Sequence, residues 1–185
     1  MNSDKAIFFD RDGVINLLVK KNGGYRSPWN LSEFELVPDF LIFLETISVY
    51  FQFFFVVTNQ PDISRNTLTP KNLDKIHNHI TKNVFKFDSI LYCPHPKELN
   101  CECRKPKIKL FQFIENNYIF NKSNSWMVGD MWTDIQAGKR FGLKTALLKT
   151  PISFTGSNFF TKLKNSPTFE ADNLIDLGNL IVKNL

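Results

Sequence analysis

The sequence predicts an α/β fold in which a mostly parallel sheet carries helices on both faces. Short apolar runs rich in β-branched and aromatic residues alternate along the chain with longer segments whose apolar residues recur at helical spacing. This alternation is typical of βαβ units. A chain of 185 residues suits one domain, and no stretch is long enough for a second one, so we expect residues 1–185 to form a single domain.

The strands are predicted from compact apolar runs, and the helices from periodic apolar faces that follow a capping residue or a proline. Six runs are predicted as strands: Ala6–Phe9, Phe53–Thr58, Ser89–Cys93, Trp126–Asp130, Lys144–Lys149 and, in the tail, Thr168–Glu170. The first two helices begin at Pro38-Asp39 and at Thr69-Pro70. The other three are predicted near Lys107–Tyr118, over Thr133–Phe141, and from Asp172 or Asn173 onward. The segment Thr150–Thr168 yields no interpretation.

This order of elements indicates a three-layer, Rossmann-like, doubly wound sheet. In such sheets ligands bind beyond the carboxyl ends of the strands. The polar residues that follow each predicted strand are therefore the candidates for a functional site.

Composition and charge narrow the class of protein. Hydrophobic residues make up 43% of the chain and charged residues 22%, which is typical of a globular protein. The net charge is +5, but the lysines are scattered rather than clustered, so we expect no nucleic-acid partner. The most apolar stretch is interrupted by Glu45 and Gln52, and no targeting segment is visible. We therefore expect a cytoplasmic protein that does not span a membrane and acts as a monomer.

Two carboxylates one residue apart follow the first strand, in "FFDRDGVIN" (Phe8–Asn16). In an extended chain Asp10 and Asp12 would face one crevice and Arg11 would face away. Gly13 permits a sharp exit from the strand. Because two like charges this close repel, the pair indicates a bound cation or a chemical role.

The ends of the other strands add to this constellation. Thr58-Asn59-Gln60 follow the second strand, Arg104-Lys105 come after the third, and the fourth ends at Asp130, with Asp134 one helical turn further on. Carboxylate oxygens are the ligands that Mg²⁺ prefers. We therefore expect Asp10, Asp12 and Asp130 to bind Mg²⁺, with Asp134 nearby.

The set suits phosphoryl transfer. Asp10 would attack phosphorus to form an aspartyl phosphate, and Asp12 would act as general acid and then as general base. Thr58 and Lys105 would stabilise the transferring phosphoryl group.

A dense group of metal-binding side chains precedes Arg104-Lys105, in "YCPHPKELNCECRKPK" (Tyr92–Lys107). Cys93, His95, Cys101 and Cys103 form a Cys₃His set, which suits tetrahedral Zn²⁺. Four protein ligands leave no open position, so we expect a structural zinc loop over residues 93–103. The alternative is a set of reduced, partly buried thiols.

The four acidic and polar segments resemble, in order, the motifs of the haloacid dehalogenase superfamily of phosphatases. The matching segments are "FFDRDGVIN", "VVTNQ", "RKPK" and "VGDMWTD". No insertion long enough for a mobile cap domain follows the first or second segment. The zinc loop makes the chain similar to the capless branch that contains heptose bisphosphate phosphatases and histidinol phosphatases.

The resemblance implies a phosphorylated sugar as substrate, such as a heptose (bis)phosphate of surface-polysaccharide or nucleotide-sugar synthesis. It also implies that substrate is bound by residues on three loops: Gly24, Tyr25, Arg26, Asn59, Gln60, Arg65 and Arg104. Two features differ from those of familiar heptose phosphatases and bear on which substrate is bound. Met131 stands where many heptose phosphatases have lysine, and the first loop is longer than in familiar members.

Two other functions stay open at this stage. One is the same chemistry on histidinol phosphate, since the zinc loop is at least as similar to that branch. The other is a zinc-stabilised binding module without activity, which the full set of catalytic residues disfavours. His77 and His79 are interpreted as ordinary surface or half-buried residues, and Trp132 as a residue that packs or lines the crevice.

Overall fold

The computed structural model describes residues 4–21, 23–153 and 166–185. Its strands are β1 (Ala6–Phe9), β2 (Val19–Lys21), β3 (Gly24–Arg26), β4 (Phe53–Asn59), β5 (Ser89–Cys93), β6 (Trp126–Gly129), β7 (Lys144–Leu148) and β8 (Phe169–Ala171). Its α-helices are α1 (Phe40–Ile47), α2 (Pro70–His79), α3 (Lys109–Glu115), α4 (Trp132–Phe141) and α5 (Leu174–Val182). A π-helical turn, Ile80–Val84, continues α2. Within these ranges no helix combines the length and the apolar character needed to cross a membrane.

Six strands form one sheet in the order β5-β4-β1-β6-β7-β8, and every neighbouring pair is parallel. β1 lies between β4 and β6, with Phe9 paired to Val56 on one side and to Val128 on the other. Because the strands are parallel, their carboxyl ends meet at one edge of the sheet. The order therefore brings the segments that follow β1, β4 and β6 together.

Apolar cores lie on both faces of the sheet, as the three-layer prediction requires. In β1, Ile7 and Phe9 join the core that α1 and α5 cover, whereas Ala6 and Phe8 join the core beneath α3 and α4. The ring of Phe8 lies 5.0 Å from that of Phe55 and 5.3 Å from that of Phe111. Much of the high phenylalanine content is thus core.

The structure confirms the six predicted strands and the five predicted helices, with shifted boundaries. The third helix is shorter than expected, Lys109–Glu115 rather than Lys107–Tyr118. Thr69 and Asn173 cap α2 and α5 through side-chain hydrogen bonds. The antiparallel hairpin of β2 and β3 in the first loop was not predicted, because its strands are short, polar and exposed. The uninterpreted segment 150–168 falls largely outside the described residues.

Candidate active site

Three carboxylates converge where β1 and β6 end. Asp10 follows β1, Asp130 follows β6, Asp134 lies in the first turn of α4, and one oxygen from each lies within 4.8 Å of the others. Two glycines permit this approach. A Cβ at Gly13, where φ is +85°, would lie 2.2 Å from Asp130 Oδ2, and a Cβ at Gly129 would lie 2.2 Å from Asp134 Cβ.

The ammonium group of Lys105 is buried against these carboxylates. Its Nζ lies 2.9 Å from Asp10 and 2.7 Å from Asp134, and it donates a hydrogen bond of 2.6 Å to Val57 O. Asn59 holds the Lys105 backbone at both ends: its Oδ1 accepts from Lys105 N at 3.0 Å, and its Nδ2 donates to Lys105 O at 3.3 Å. The end of β4 therefore positions the loop that carries the lysine.

The cluster carries more negative charge than Lys105 neutralises. Burial raises the pKa of Asp10 to about 6; Lys105 opposes this shift, while Asp134 and Asp12 add to it. Burial and the charges of Asp10 and Asp134 raise the pKa of Asp130 well above its usual value. Burial alone would lower the pKa of Lys105, but Asp10 and Asp134 raise it, so the lysine stays charged. Such a site favours an added cation.

The donor set fits a hard divalent cation such as Mg²⁺, which prefers oxygen ligands. Asp130 Oδ1 is buried and has no hydrogen-bond partner among the described residues, as expected for an oxygen that faces a metal. The cluster includes Asp134, which was expected nearby, and does not include the Asp12 side chain. Which of the four aspartates bind Mg²⁺ stays a prediction.

Asp12 is held by Arg11 instead. Arg11 was expected to face away from the crevice; its guanidinium is fully buried and donates to both oxygens of Asp12, Nη2 at 2.7 Å and 3.0 Å, a pairing that the sequence did not predict. The alternation of side chains applies to extended chain, but β1 ends at Phe9 and the backbone has begun to turn at Arg11. The neighbouring acids therefore have different surroundings.

Four side chains in the described part of the chain donate hydrogen bonds to the Asp12 carboxylate. Besides Arg11, these are Asn16 at 3.0 Å, Ser27 at 2.8 Å and Gln60 at 2.6 Å. Burial alone would raise the pKa of Asp12, but the charge and hydrogen bonds of Arg11, with those of Asn16 and Ser27, lower it below its usual value. Asp12 is therefore a carboxylate at neutral pH.

Thr58 and Gln60 lie beside Asp12. Both are buried, and Gln60 Nε2 donates to Thr58 Oγ1 at 3.0 Å as well as to Asp12. Gln60 was predicted to contact substrate; in the structure its amide instead supports Asp12 and Thr58. Thr58 accepts this bond and keeps its own hydroxyl hydrogen for donation.

A cavity of about 590 Å³ opens above these residues. Asp10, Asp12 and Asp130 lie in its wall, together with Asn59 and Trp132. Its basic residues are Lys97, Arg104, Lys105, Lys107 and Arg140, and its apolar residues include Leu18, Met131 and Ile152. The expectation that Trp132 lines the crevice is confirmed.

The predicted substrate-binding residues are only partly brought together. Arg104 lines the cavity, and one of its nitrogens donates to His95 O at 3.1 Å. The described residues that line the cavity do not include Gly24, Tyr25, Arg26 or Arg65. Arg26 forms an ion pair with Glu33 at 2.7 Å, and Arg65 forms one with Asp62 at 3.2 Å. From the first loop, Leu18 and Ser27 line the cavity. Apart from its position next to Arg26, nothing in the sequence predicted Ser27.

The four residues of the predicted zinc loop also lie together. Ligand atoms of Cys93, His95, Cys101 and Cys103 lie within 4.8 Å of one another, and the three cysteines form no disulfide. The Sγ of Cys103 lies 3.1 Å from that of Cys93 and 3.2 Å from His95 Nδ1. Three thiols and an imidazole converging on one point suit a tetrahedral zinc ion. Arg104 and Lys105 follow the last ligand directly.

Comparisons with known proteins agree with this geometry. A HAD-hydrolase-like family model matches residues 102–177. The chain is 31% identical to the D-glycero-beta-D-manno-heptose-1,7-bisphosphate 7-phosphatase of Helicobacter pylori, over 88% of this chain and 97% of that protein. It is 32% identical to the histidine biosynthesis bifunctional protein HisB of Actinobacillus pleuropneumoniae, over 75% of this chain but only 38% of that protein.

A solved structure shares the fold. The D,D-heptose 1,7-bisphosphate phosphatase of B. bronchiseptica, complexed with magnesium and phosphate, superposes with a TM-score of 0.81 at 22% identity, covering 98% of this chain and 99% of that one. Fold and site together define a phosphatase of the haloacid dehalogenase superfamily. Within that superfamily, the chain belongs to the family of the heptose bisphosphate phosphatases.

The charge excess at the cluster predicts how metal-free protein responds to pH. Asp10 and Asp130 have raised pKa values in the folded state, so between the unfolded value of 3.8 and about 6 the folded state binds more protons than the unfolded state. These two groups should therefore make stability fall as pH rises through this range, against the opposite contribution of His77, whose pKa is lowered. Asp130→Asn should weaken this loss and make metal-free protein more stable than wild type at pH 7.

Urea denaturation of metal-free protein between pH 4 and pH 8 measures this effect. Asp74→Asn, an exposed change on α2, is the matched control and should leave the profile unchanged. Added Mg²⁺ should stabilise wild type at pH 7 more than Asp130→Asn, because binding to the folded state alone raises stability. A variant less stable than wild type at pH 7 without metal would contradict the charge excess.

Proposed function

We propose that this protein is a Mg²⁺-dependent phosphomonoesterase that works through an aspartyl phosphate and removes the 7-phosphate from a heptose 1,7-bisphosphate. The observation that carries the proposal is the contact of one buried lysine, Lys105, with Asp10 and Asp134 beside Asp130. The similarity to the heptose phosphatases along nearly their whole length supports the substrate.

Mg²⁺ would be held by the carboxylates of Asp10 and Asp130, with Asp134 completing the acidic cluster and Asp12 adjacent. When bound, it supplies positive charge that offsets the carboxylates and the phosphoryl oxygens. Lys105 holds Asp10 through an ion pair of 2.9 Å, so the nucleophilic oxygen is oriented before substrate enters.

The reaction has two displacements. In the first, an oxygen of Asp10 forms a bond to phosphorus while the bond from phosphorus to the sugar oxygen breaks, and that oxygen takes a proton from Asp12. In the second, Asp12 takes a proton from water, the water oxygen bonds to phosphorus, and the bond to Asp10 breaks to release phosphate. In both steps Lys105 and the Thr58 hydroxyl stabilise the negative charge on the phosphoryl oxygens.

Asp12 begins the cycle as a carboxylate, since the charge of Arg11 and the hydrogen bonds from Arg11, Asn16 and Ser27 together outweigh the effect of burial on its pKa. It must therefore gain a proton when the substrate binds. An approaching phosphoryl dianion favours this, because a nearby negative charge raises the pKa of a carboxyl group. After the first displacement Asp12 is again a carboxylate, which is the form that accepts a proton from water.

The cavity suits a substrate with a second anionic group. Lys97, Arg104 and Arg140 line its wall beyond Lys105. Arginine holds phosphate oxygens with two parallel hydrogen bonds, so Arg104 is our candidate for the distal phosphate of the sugar. The HisB relative favours histidinol phosphate as the alternative substrate. If the protein hydrolysed neither a heptose bisphosphate nor histidinol phosphate, a zinc-stabilised binding module would be the favoured function. A cytoplasmic location and a monomeric state stay predictions.

The reaction and its substrate are tested by steady-state kinetics. We expect wild type with Mg²⁺ to hydrolyse both anomers of heptose 1,7-bisphosphate faster than histidinol phosphate. Asp10→Asn should keep the fold and fall below about 1% of the wild-type rate, because the covalent step is lost. Circular dichroism checks the fold of the variant. Retained turnover by Asp10→Asn would show that Asp10 is not the nucleophile. A wild-type preference for histidinol phosphate would show that histidinol phosphate, not the heptose bisphosphate, is the substrate.

Zinc should act through the loop that carries Arg104 and Lys105. Cys101→Ser should contain less zinc by elemental analysis, melt at a lower temperature and lose activity that added Mg²⁺ does not restore, because structural zinc contributes folding free energy. Glu102→Gln is the matched control: its side chain is 78% exposed in the same loop, and it should keep zinc and stability. Active wild type that contains no zinc would contradict this role.

Arg104 should serve specificity rather than chemistry. Arg104→Ala should lower kcat/KM for the heptose bisphosphate about 10-fold to 100-fold, the effect of losing a charge-assisted hydrogen bond. Hydrolysis of 4-nitrophenyl phosphate, which lacks a second anionic group, should change much less. Arg104→Lys keeps the charge but not the paired bonds, and should recover only part of the loss. Equal losses on both substrates would mean that Arg104 serves the chemistry or the fold.

A further inference from the structure

Arg11 connects Asp12 to helix α2. The guanidinium is fully buried and faces Asp12 on one side, with Nε 3.1 Å and Nη2 2.7 Å from Oδ1 and Nη2 3.0 Å from Oδ2. On its other side Nη1 lies 3.3 Å from Nε2 of His77. His77, which the sequence indicated to be an ordinary residue, therefore contacts the guanidinium that binds both oxygens of Asp12.

The contact fixes the form of the His77 ring. All the nitrogens of a guanidinium are donors, so Nε2 of His77 accepts and the ring hydrogen lies on Nδ1. Burial, followed by the charge of Arg11, lowers the pKa of His77 to about 3, which agrees with a neutral ring. The ring also lies 5.9 Å from that of Tyr92 in β5. A neutral acceptor is thus held in place beside a buried cation.

We propose that Arg11 and His77 are positioning residues that hold the Asp12 carboxylate in the orientation needed for proton transfer. The inference rests on the proposed phosphatase reaction. Neither residue is among the described residues that line the cavity: His77 fixes the guanidinium, and the guanidinium fixes the carboxylate.

The geometry explains why Arg11 does what the other partners of Asp12 do not. Asn16 contacts one oxygen of Asp12, and Ser27 and Gln60 contact the other, each through a single hydrogen bond. A planar guanidinium that contacts both oxygens fixes the plane of the carboxylate. A buried ion pair adds little stability compared with apolar residues of similar volume. Orientation of the general acid and base is therefore the better account of this pair.

The test uses two leaving groups. An alcohol needs a proton from Asp12 as it departs, whereas 4-nitrophenolate departs without one. His77→Phe should slow single-turnover cleavage of the alkyl phosphate that wild type hydrolyses fastest by about 10-fold, with KM unchanged. Release of 4-nitrophenolate from 4-nitrophenyl phosphate should change by less than about 2-fold.

Three further variants separate positioning from stability. His77→Gln keeps an acceptor and should recover most of the rate on the alkyl phosphate. His79→Phe, on the same helix but in contact with Phe34 and Asn83, is the matched control and should behave as wild type. Because Arg11 is buried, Arg11→Lys is used only if its melting temperature shows that it folds; it should resemble His77→Phe, since one ammonium nitrogen cannot replace the three guanidinium nitrogens that contact Asp12 and His77.

A double-mutant cycle completes the test. If His77 acts through Asp12, then His77→Phe should cause no further loss in an Asp12→Asn background. Equal losses on the two substrates, an additive loss in the cycle, or no recovery with His77→Gln would each overturn the inference while leaving the phosphatase in place. Wild type that hydrolyses neither substrate would overturn the proposed function, and the inference with it.

Discussion

The ion pairs of Lys105 with Asp10 and Asp134 are the interaction on which the rest of the site depends. Three carboxylates from two strand ends and a helix would repel each other in a buried site, and the lysine is the cation that allows them to approach. One ammonium does not balance three carboxylates, so the arrangement is complete only with a further cation. Fold and cofactor are linked through this side chain.

Lys105 comes from a segment without regular secondary structure, and contacts on two sides hold it. Upstream, four potential zinc ligands converge just before Arg104. Across the site, the amide of Asn59 binds the backbone of Lys105 in both directions. A hydrogen bond of 2.7 Å from Gln60 N to Cys93 O joins the first of the potential zinc ligands to the end of β4. A change among the potential zinc ligands would therefore reach Lys105 through the backbone.

The sequence was enough to predict the sheet, the acidic cluster and the zinc loop, because each depends on local pattern: apolar runs, acids at strand ends, and closely spaced cysteines. It was not enough to predict which charged side chains pair with each other. The ion pair of Arg11 with Asp12 was not predicted, and Arg26 pairs with Glu33 rather than lining the cavity. Such pairings depend on how the backbone turns and on which segments meet, which spacing along the chain does not encode. Hairpin β2–β3 was missed because its short polar strands lack an apolar alternation.

Asp10 and Asp12 are chemically identical, and their surroundings give them different roles. Burial and neighbouring acids raise the pKa of Asp10, whereas the charge of Arg11 and the hydrogen bonds around Asp12 together outweigh burial and lower the pKa of Asp12. Surroundings that shift the pKa values of two carboxyl groups in opposite directions allow a site to give the two groups separate tasks. The pKa shifts of Asp10 and Asp12 are opposite to those that the proposed reaction needs at the moment of attack, when Asp10 must be ionised and Asp12 protonated. A cation beside Asp10 favours its ionised form, and a phosphoryl dianion beside Asp12 favours its protonated form. In the proposed reaction, binding of metal and substrate together would therefore complete the catalytic charge state.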